Sequence, residues 1–251
     1  MANNEFLLYY QPIIDINQPD RIVGAEVLIR WQHPERGVVS PGEFIGAAEE
    51  TGLILDLGDW VLYETCSQMQ KWNARNPDLD YGRISINISP RQFQQTNFVP
   101  KLINTIQIAK IDPARLYLEL TENLLVRDIG DVAEKMQKLK AHGLQFSIDD
   151  FGTGYSSFAY LKQLPLDTVK IDQSFVRDIT TDPNDAAIVE SILAMSSRMG
   201  FRVVAEGVET QEQLEFLTTR ECDLYQGYLY SRPVPVEEFE MLLQKDKIPG
   251  E

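Results

Sequence analysis

The sequence predicts an α/β fold, a (β/α)8 TIM-like barrel with one strand antiparallel to the rest. Three observations carry that prediction. From residue 83 onward, strand-like and helical segments alternate across short links, the pattern of a parallel sheet. About eight strand segments in 251 residues match a barrel of this size. The opening differs: two strand segments flank the turn at Asn17–Asp20, so a hairpin sets one strand against the common direction.

In order, residues 6–16 read as a strand in which Pro12 marks an irregularity, and residues 22–31 as its hairpin partner. Pro41 opens a short helix over 41–50, because proline suits a first helical turn. Leu57, Val61, Leu62, Met69 and Trp72 recur near helical spacing and predict a helix over 53–75. Residues 83–88 alternate as a strand that Pro90 stops. Helix 98–109 then leads to strand 115–122, and helix 130–141 to strand 144–149. A short helix over 155–163 precedes strand 168–172, and helix 185–199 precedes strand 202–206. Helix 210–219, strand 224–229 and helix 236–244 complete the series. Residues 1–251 read as a single domain, with 245–251 as a frayed tail.

The stretch Leu144–Gly154 organises the rest. Leu144, Phe146 and Ile148 alternate with smaller or more polar neighbours, and the strand ends in Asp149 and Asp150 before Gly152 and Gly154 mark a turn. Adjacent carboxylates repel, and a cation relieves that repulsion.

Composition narrows the possibilities. With 43% hydrophobic and 24% charged residues, the chain is an ordinary globular sequence. No apolar run approaches the roughly 18 residues that span a bilayer, and residues 1–6 lack a secretory pattern. Only Cys66 and Cys222 are present, which argues against a disulfide framework and fits a reducing cytoplasm. A net charge of −15 opposes binding to a DNA or RNA polymer, although metal cations can invert the field locally for a small phosphate ligand. The two histidines, His33 and His142, have no serine or cysteine partner for a hydrolytic triad and are too few for a histidine-rich zinc site.

In a barrel of this kind the C-terminal strand ends build the active face. Those ends carry Glu26, Asn87, Glu119 with Glu122, Asp149 with Asp150, Lys170 with Asp172, Glu206 with Glu209, and Gln226. Charged groups in apolar strands are costly to bury unless they are paired or bind metal. Apart from Lys170 the set offers only oxygen donors, which suits Mg2+ or Mn2+. The acids exceed what one ion needs, and Asp149 with Asp150 can bridge two ions roughly 3.5–4 Å apart, an arrangement suited to phosphoester hydrolysis. Lys170 either serves that chemistry, by orienting water or neutralising charge, or forms a plain ion pair with Asp172.

The sequence resembles the EAL domains, the family of cyclic di-GMP phosphodiesterases. The signature tripeptide appears as Glu26-Val27-Leu28, followed by Arg30. Further matches are Tyr10–Ile13, Ile86–Pro90, Leu118–Glu122, Asp149–Ser157, Val169–Asp172, Ala205–Glu209 and Gln226–Tyr228, in the family's order and spanning residues 6–242. The resemblance implies hydrolysis of one phosphodiester of cyclic di-GMP to linear pGpG with two ions, Mg2+ or Mn2+. It implies that Glu26, Asn87, Glu119 and Asp149 hold the first ion, and that Asp149, Asp150 and Glu206 hold the second. Lys170, Glu206, Asp150 and Glu122 form the implied catalytic group, with Lys170 positioning water and Glu122 bracing the Asp149–Gly154 loop. Gln11, Leu28, Arg30, Asp172, Glu209 and Gln226 form the implied substrate-binding group. In it Arg30 lies against a phosphate, Gln226 supports the metal site and Glu209 is a structural acid. Valine at position 27 adds two methyl groups near Glu26, and little effect is expected, because overpacking of this size usually relaxes. A homodimer and upstream sensor or cyclase domains, in a parent protein with a membrane anchor or without one, are also implied. The alternative is a receptor that binds cyclic di-GMP without turnover; the retention of every acid and of Lys170 favours catalysis.

Overall fold

The computed structural model describes residues 5–77, 79–125, 129–152 and 161–245. Strands β1 (Phe6–Asp15), β2 (Gln18–His33), β4 (Arg83–Ile88), β5 (Leu116–Thr121), β6 (Gln145–Phe151), β7 (Thr168–Ile171), β8 (Arg202–Glu206) and β9 (Leu224–Gln226) form a closed ring. Their neighbours along the ring from β2 to β9 are parallel. β1 alone runs the other way, pairing Gln11 with Glu26 on β2 and Ile14 with Tyr225 on β9. The predicted barrel, hairpin and antiparallel strand are therefore present. Two short strands decorate the rim: β3 (Gly37–Val39) on β2 and β10 (Val234–Pro235) on β1.

Strand alternation sorts the side chains into two sets. Ile84, Ile86, Leu116, Leu118, Leu120, Phe146, Ile148, Val169, Ile171, Val203 and Ala205 face outward into the main core with the helices, all at most 2% exposed. Burying each large aliphatic side chain contributes about 1.5–3 kcal/mol. Inside the ring, Ile13, Val204 and Leu224 form a small apolar cluster of their own. The polar residues of the functional layer also point inward, toward the C-terminal mouth of the parallel strands.

Several elements depart from expectation for identifiable reasons. The segment 41–50 splits into a 3-10 turn at Pro41–Glu43 and a helix at Ile45–Thr51. The break falls at Phe44, whose ring lies 5.9 Å from those of Phe6 and Trp31. The helix expected from residue 185 starts at Pro183, because the Asp182 carboxylate accepts a hydrogen bond from the Asn184 backbone N–H at 2.8 Å. The strand expected over 224–229 stops at Gln226, where the chain turns back on Val208, with the Leu229 N–H donating to the Val208 carbonyl at 3.0 Å. Short helices at Pro90–Phe93, Glu122–Leu125 and Gln173–Arg177 follow directly on strand ends. Most of the expected helix 155–163 and the tail after residue 245 lie outside the described residues. Among those described, no helix is long and apolar enough to cross a membrane.

Candidate active site

The inward side chains at the barrel mouth converge on Lys170. Its ammonium lies 2.6 Å from Glu119 Oε2, 2.8 Å from Glu206 Oε1, 3.1 Å from Asp149 Oδ1 and 3.3 Å from Glu26 Oε2. Lys170 and Glu119 are each 1% exposed, while Asp149 and Glu206 open slightly toward solvent at 14% and 16%. Register explains the convergence, since each residue projects inward from a different neighbouring strand. Among the described residues, Asp172 makes no ion pair with Lys170. It lies beyond the end of β7, where its carboxylate caps the helix Gln173–Arg177 by accepting from the Ser174 N–H at 3.0 Å.

Glu26 is fixed from both sides. Oε1 accepts from Asn87 Nδ2 at 2.6 Å, and Oε2 accepts from Gln226 Nε2 at 2.7 Å. Gln226 Nε2 also donates to Gln11 Oε1 at 2.9 Å, and Gln11 Nε2 donates to the Ser231 carbonyl at 3.3 Å. Val27, between Glu26 and Leu28, is 2% exposed and belongs to the outer core. The extra methyl groups sit on the opposite face of the strand from the Glu26 carboxylate.

Adjacent aspartates on a regular strand point to opposite faces, yet both of these serve the rim. The pairing of β6 with β7 runs from Ile148↔Val169 to Phe151↔Ile171, so β6 carries one extra residue there. Asp150 adopts φ 55°, the left-handed region that aspartate tolerates better than most residues. The bulge lets ligand atoms of Asp149, Asp150 and Glu206 lie within 4.8 Å of one another. Beyond it, Gly152 at φ 101° directs its N–H to Glu122 Oε2 at 3.3 Å. Glu122 is only 3% exposed and braces the turn from beneath. Thr153 and Gly154, also part of the loop read from sequence, lie outside the described residues.

The electrostatics follow from one ammonium facing four carboxylates. Burial pushes the Glu119 carboxyl up to about 8, against the pull of Lys170, and raises Glu206 in the same direction. Burial, with Asp149 and Asp172 nearby, lifts Asp150 to about 6. Burial alone would lower Lys170, but Asp149, Glu119, Glu206 and Glu26 outweigh it and hold the ammonium well above the ordinary lysine range. A group of acids that retains protons in this way lacks positive charge, and divalent cations supply it. Asp149 Oδ1 is buried and, despite its proximity to Lys170, accepts no well-aligned hydrogen bond. That oxygen and the carboxylate and amide oxygens around it fit a hard cation.

A cavity of about 300 Å3 opens beside the acids, between the helix Ile54–Arg75 and the rim. Asn87, Asp149 and Asp150 form its polar wall, and Leu28, Ile45 and Leu57 its apolar one. Sequence periodicity marks such apolar residues as core and carries no sign that they also wall a cavity. Arg30 lies over the Tyr9 ring at 5.4 Å. Tyr9 was not singled out from sequence, although it shares the inward face of β1 with Gln11. Glu209 is exposed, and its backbone N–H donates to Gln213 Oε1 at 2.7 Å; among the described residues its carboxylate forms no ion pair.

Comparison with known proteins agrees with this geometry. The chain is 42% identical over 243 residues to the bifunctional diguanylate cyclase/cyclic di-GMP phosphodiesterase MucR of Pseudomonas aeruginosa, covering 95% of this chain and 34% of that protein. It is 39% identical to the cyclic di-GMP phosphodiesterase PA2567 of the same organism, covering 96% of this chain and 40% of that protein. It thus spans about a third of the length of the curated relatives it matches. A solved structure of the PaMucR phosphodiesterase in complex with c-di-GMP superposes with a TM-score of 0.90 at 41% identity, covering 94% of this chain and 95% of that one. The EAL domain description matches residues 1–233, and the chain belongs to the EAL domain family.

Proposed function

We propose that this chain hydrolyses one phosphodiester bond of cyclic di-GMP to give linear pGpG, with two divalent ions, Mg2+ or Mn2+, held at the barrel mouth. Glu26, Asn87, Glu119 and Asp149 would hold one ion, and Asp149, Asp150 and Glu206 the other. The observation that carries this reading is the buried acidic layer around Lys170, with Asp149 Oδ1 lacking a well-aligned hydrogen bond and Asp150 turned toward it by the bulge.

When bound, such ions stabilise charge on the phosphate and lower the pKa of a water nucleophile. The chain's own residues do the rest. Lys170 donates hydrogen bonds: it orients the attacking water and offsets charge on the phosphate. Asn87 and Gln226 fix the Glu26 carboxylate before any ligand arrives. Glu122 keeps the turn after Asp150 in place through Gly152. Arg30 meets a phosphate, and the cavity beside Asn87 and Asp150 takes a guanine base.

The names of the relatives, two of them cyclic di-GMP phosphodiesterases, support the substrate class. We place this domain in the cytoplasm, as a homodimer within a longer protein that carries sensor or cyclase domains. The deciding experiment compares hydrolysis of cyclic di-GMP with that of a generic aryl phosphodiester at saturating Mn2+. Strong preference for the dinucleotide supports the proposal; equal rates would point to an unselective barrel phosphodiesterase.

A further inference from the structure

Two guanidiniums on the rim are presented by tyrosines. Arg30 lies over Tyr9 at 5.4 Å and donates from Nη1 to the Ile29 carbonyl at 2.9 Å. Arg232 lies over Tyr228 at 4.1 Å. Among the described residues neither forms a salt bridge, although the chain has 38 acidic against 23 basic side chains. Stacking on a ring face holds a guanidinium while leaving its N–H edge open to an anion.

Both pairs occupy one sector of the rim. β1 places Gln11 opposite Glu26 and Tyr9 opposite Leu28, and β10 brings Val234 alongside Tyr10. Gln11 reaches the Ser231 carbonyl, next to Arg232, so the metal-binding layer and this segment are joined by hydrogen bonds. Burial lowers the Arg30 guanidinium from its ordinary value, and Tyr228, Tyr9 and Glu26 lie close enough to oppose that effect.

The segment carrying Tyr228 is closely packed and hydrogen-bonded. A Cβ on Gly227 would sit 2.0 Å from the Val208 carbonyl oxygen, so the two backbones touch. The Tyr230 and Ser231 N–H groups both donate to the Gly227 carbonyl, at 3.3 and 3.2 Å. Tyr228 nevertheless remains 47% exposed. A preorganised ring with a guanidinium held against it is the geometry of a ligand anchor.

We infer that Arg30 and Arg232, each presented by a tyrosine, form a two-arginine anion clamp, in which Arg232 and Tyr228 anchor the ligand phosphate that is not cleaved. The inference rests on the cyclic dinucleotide reading above. Such a ligand has two phosphodiesters, of which the acidic layer addresses one during hydrolysis. The other needs positive charge beside a strongly acidic mouth. A planar guanidinium fork matches it in bidentate fashion.

The test is affinity for cyclic di-GMP, read as KM if the wild type turns it over and as Kd if it only binds. Arg232→Ala is expected to weaken affinity about tenfold, the loss of one charged hydrogen-bonding contact, and to reduce its salt dependence. Calorimetric Mn2+ affinity stays unchanged, as does kcat where there is turnover. Tyr228→Ala weakens binding similarly, whereas Tyr228→Phe retains the platform and binds as wild type. Arg220→Ala is the control, because Arg220 stacks on Phe216 at 3.5 Å on the outer helical layer. Wild-type affinity in both Arg232→Ala and Tyr228→Ala overturns the clamp alone. A wild type with no affinity for cyclic di-GMP overturns the underlying reading, and the clamp with it.

Discussion

Lys170 Nζ and Glu119 Oε2 lie 2.6 Å apart with each side chain 1% exposed, an ion pair sealed inside the barrel. Pairs this deep add little net stability compared with apolar packing, but breaking one strands a charge. The relationship therefore points to a site assembled around a permanent cation, with acids in excess of what that cation can balance.

Removing the cation should unfold the metal-free protein more readily. Lys170→Met is expected to cost about 3–5 kcal/mol in chelator, because the acids lose their counter-charge. Urea denaturation with and without Mn2+ checks this, and added Mn2+ should recover much of the loss. An unchanged midpoint in chelator would mean that the layer does not depend on Lys170.

Stability of the metal-free protein should fall as pH rises. Glu119 is raised to about 8 by burial, and Glu206 is raised as well, so the folded state binds their protons more tightly than the unfolded chain does. That stabilisation is present at low pH and is lost as pH climbs through the folded value. The raised value of Lys170 lies above this window and does not reverse the trend. Melting in chelator is expected at a higher temperature at pH 6 than at pH 8; the opposite order would refute the protonated acids.

Glu122 and Asp149 should separate support from ligation. Asp149→Ala removes a coordinating oxygen and is expected to abolish turnover and metal uptake with the fold intact. Glu122→Ala removes the acceptor of the Gly152 N–H, so activity falls roughly 10- to 100-fold, as for other groups that orient metal ligands. Its metal affinity falls less than that of Asp149→Ala, which calorimetry resolves.

Position 27 gives a negative control. Val27→Ala restores the usual signature but opens space in the outer core, at a cost of about 1–3 kcal/mol. Metal affinity stays at the wild-type value. A large change there would show that Val27 acts on Glu26 after all.

Most of the fold was legible because alternation and barrel length constrain each other, and the acids were visible because each ends an apolar strand. Three features were not. The bulge at Asp149–Asp150 depends on register with β7, which no local pattern encodes. The partners of Lys170 come from four other strands, whereas sequence offered the near neighbour Asp172, which the end of β7 turns into a helix cap. Tyr9, Tyr228 and Arg232 carry no local signal of a shared location, and the β1–β10 pairing gathers them at the mouth.

The most direct measurement is product chromatography after incubation with cyclic di-GMP and Mn2+ or Mg2+, with a chelator control and Asp149→Ala alongside. The account predicts pGpG from the wild type only when metal is present, and none from the variant. Tight binding of cyclic di-GMP by the metal-loaded wild type with no pGpG would contradict it and make the domain a receptor.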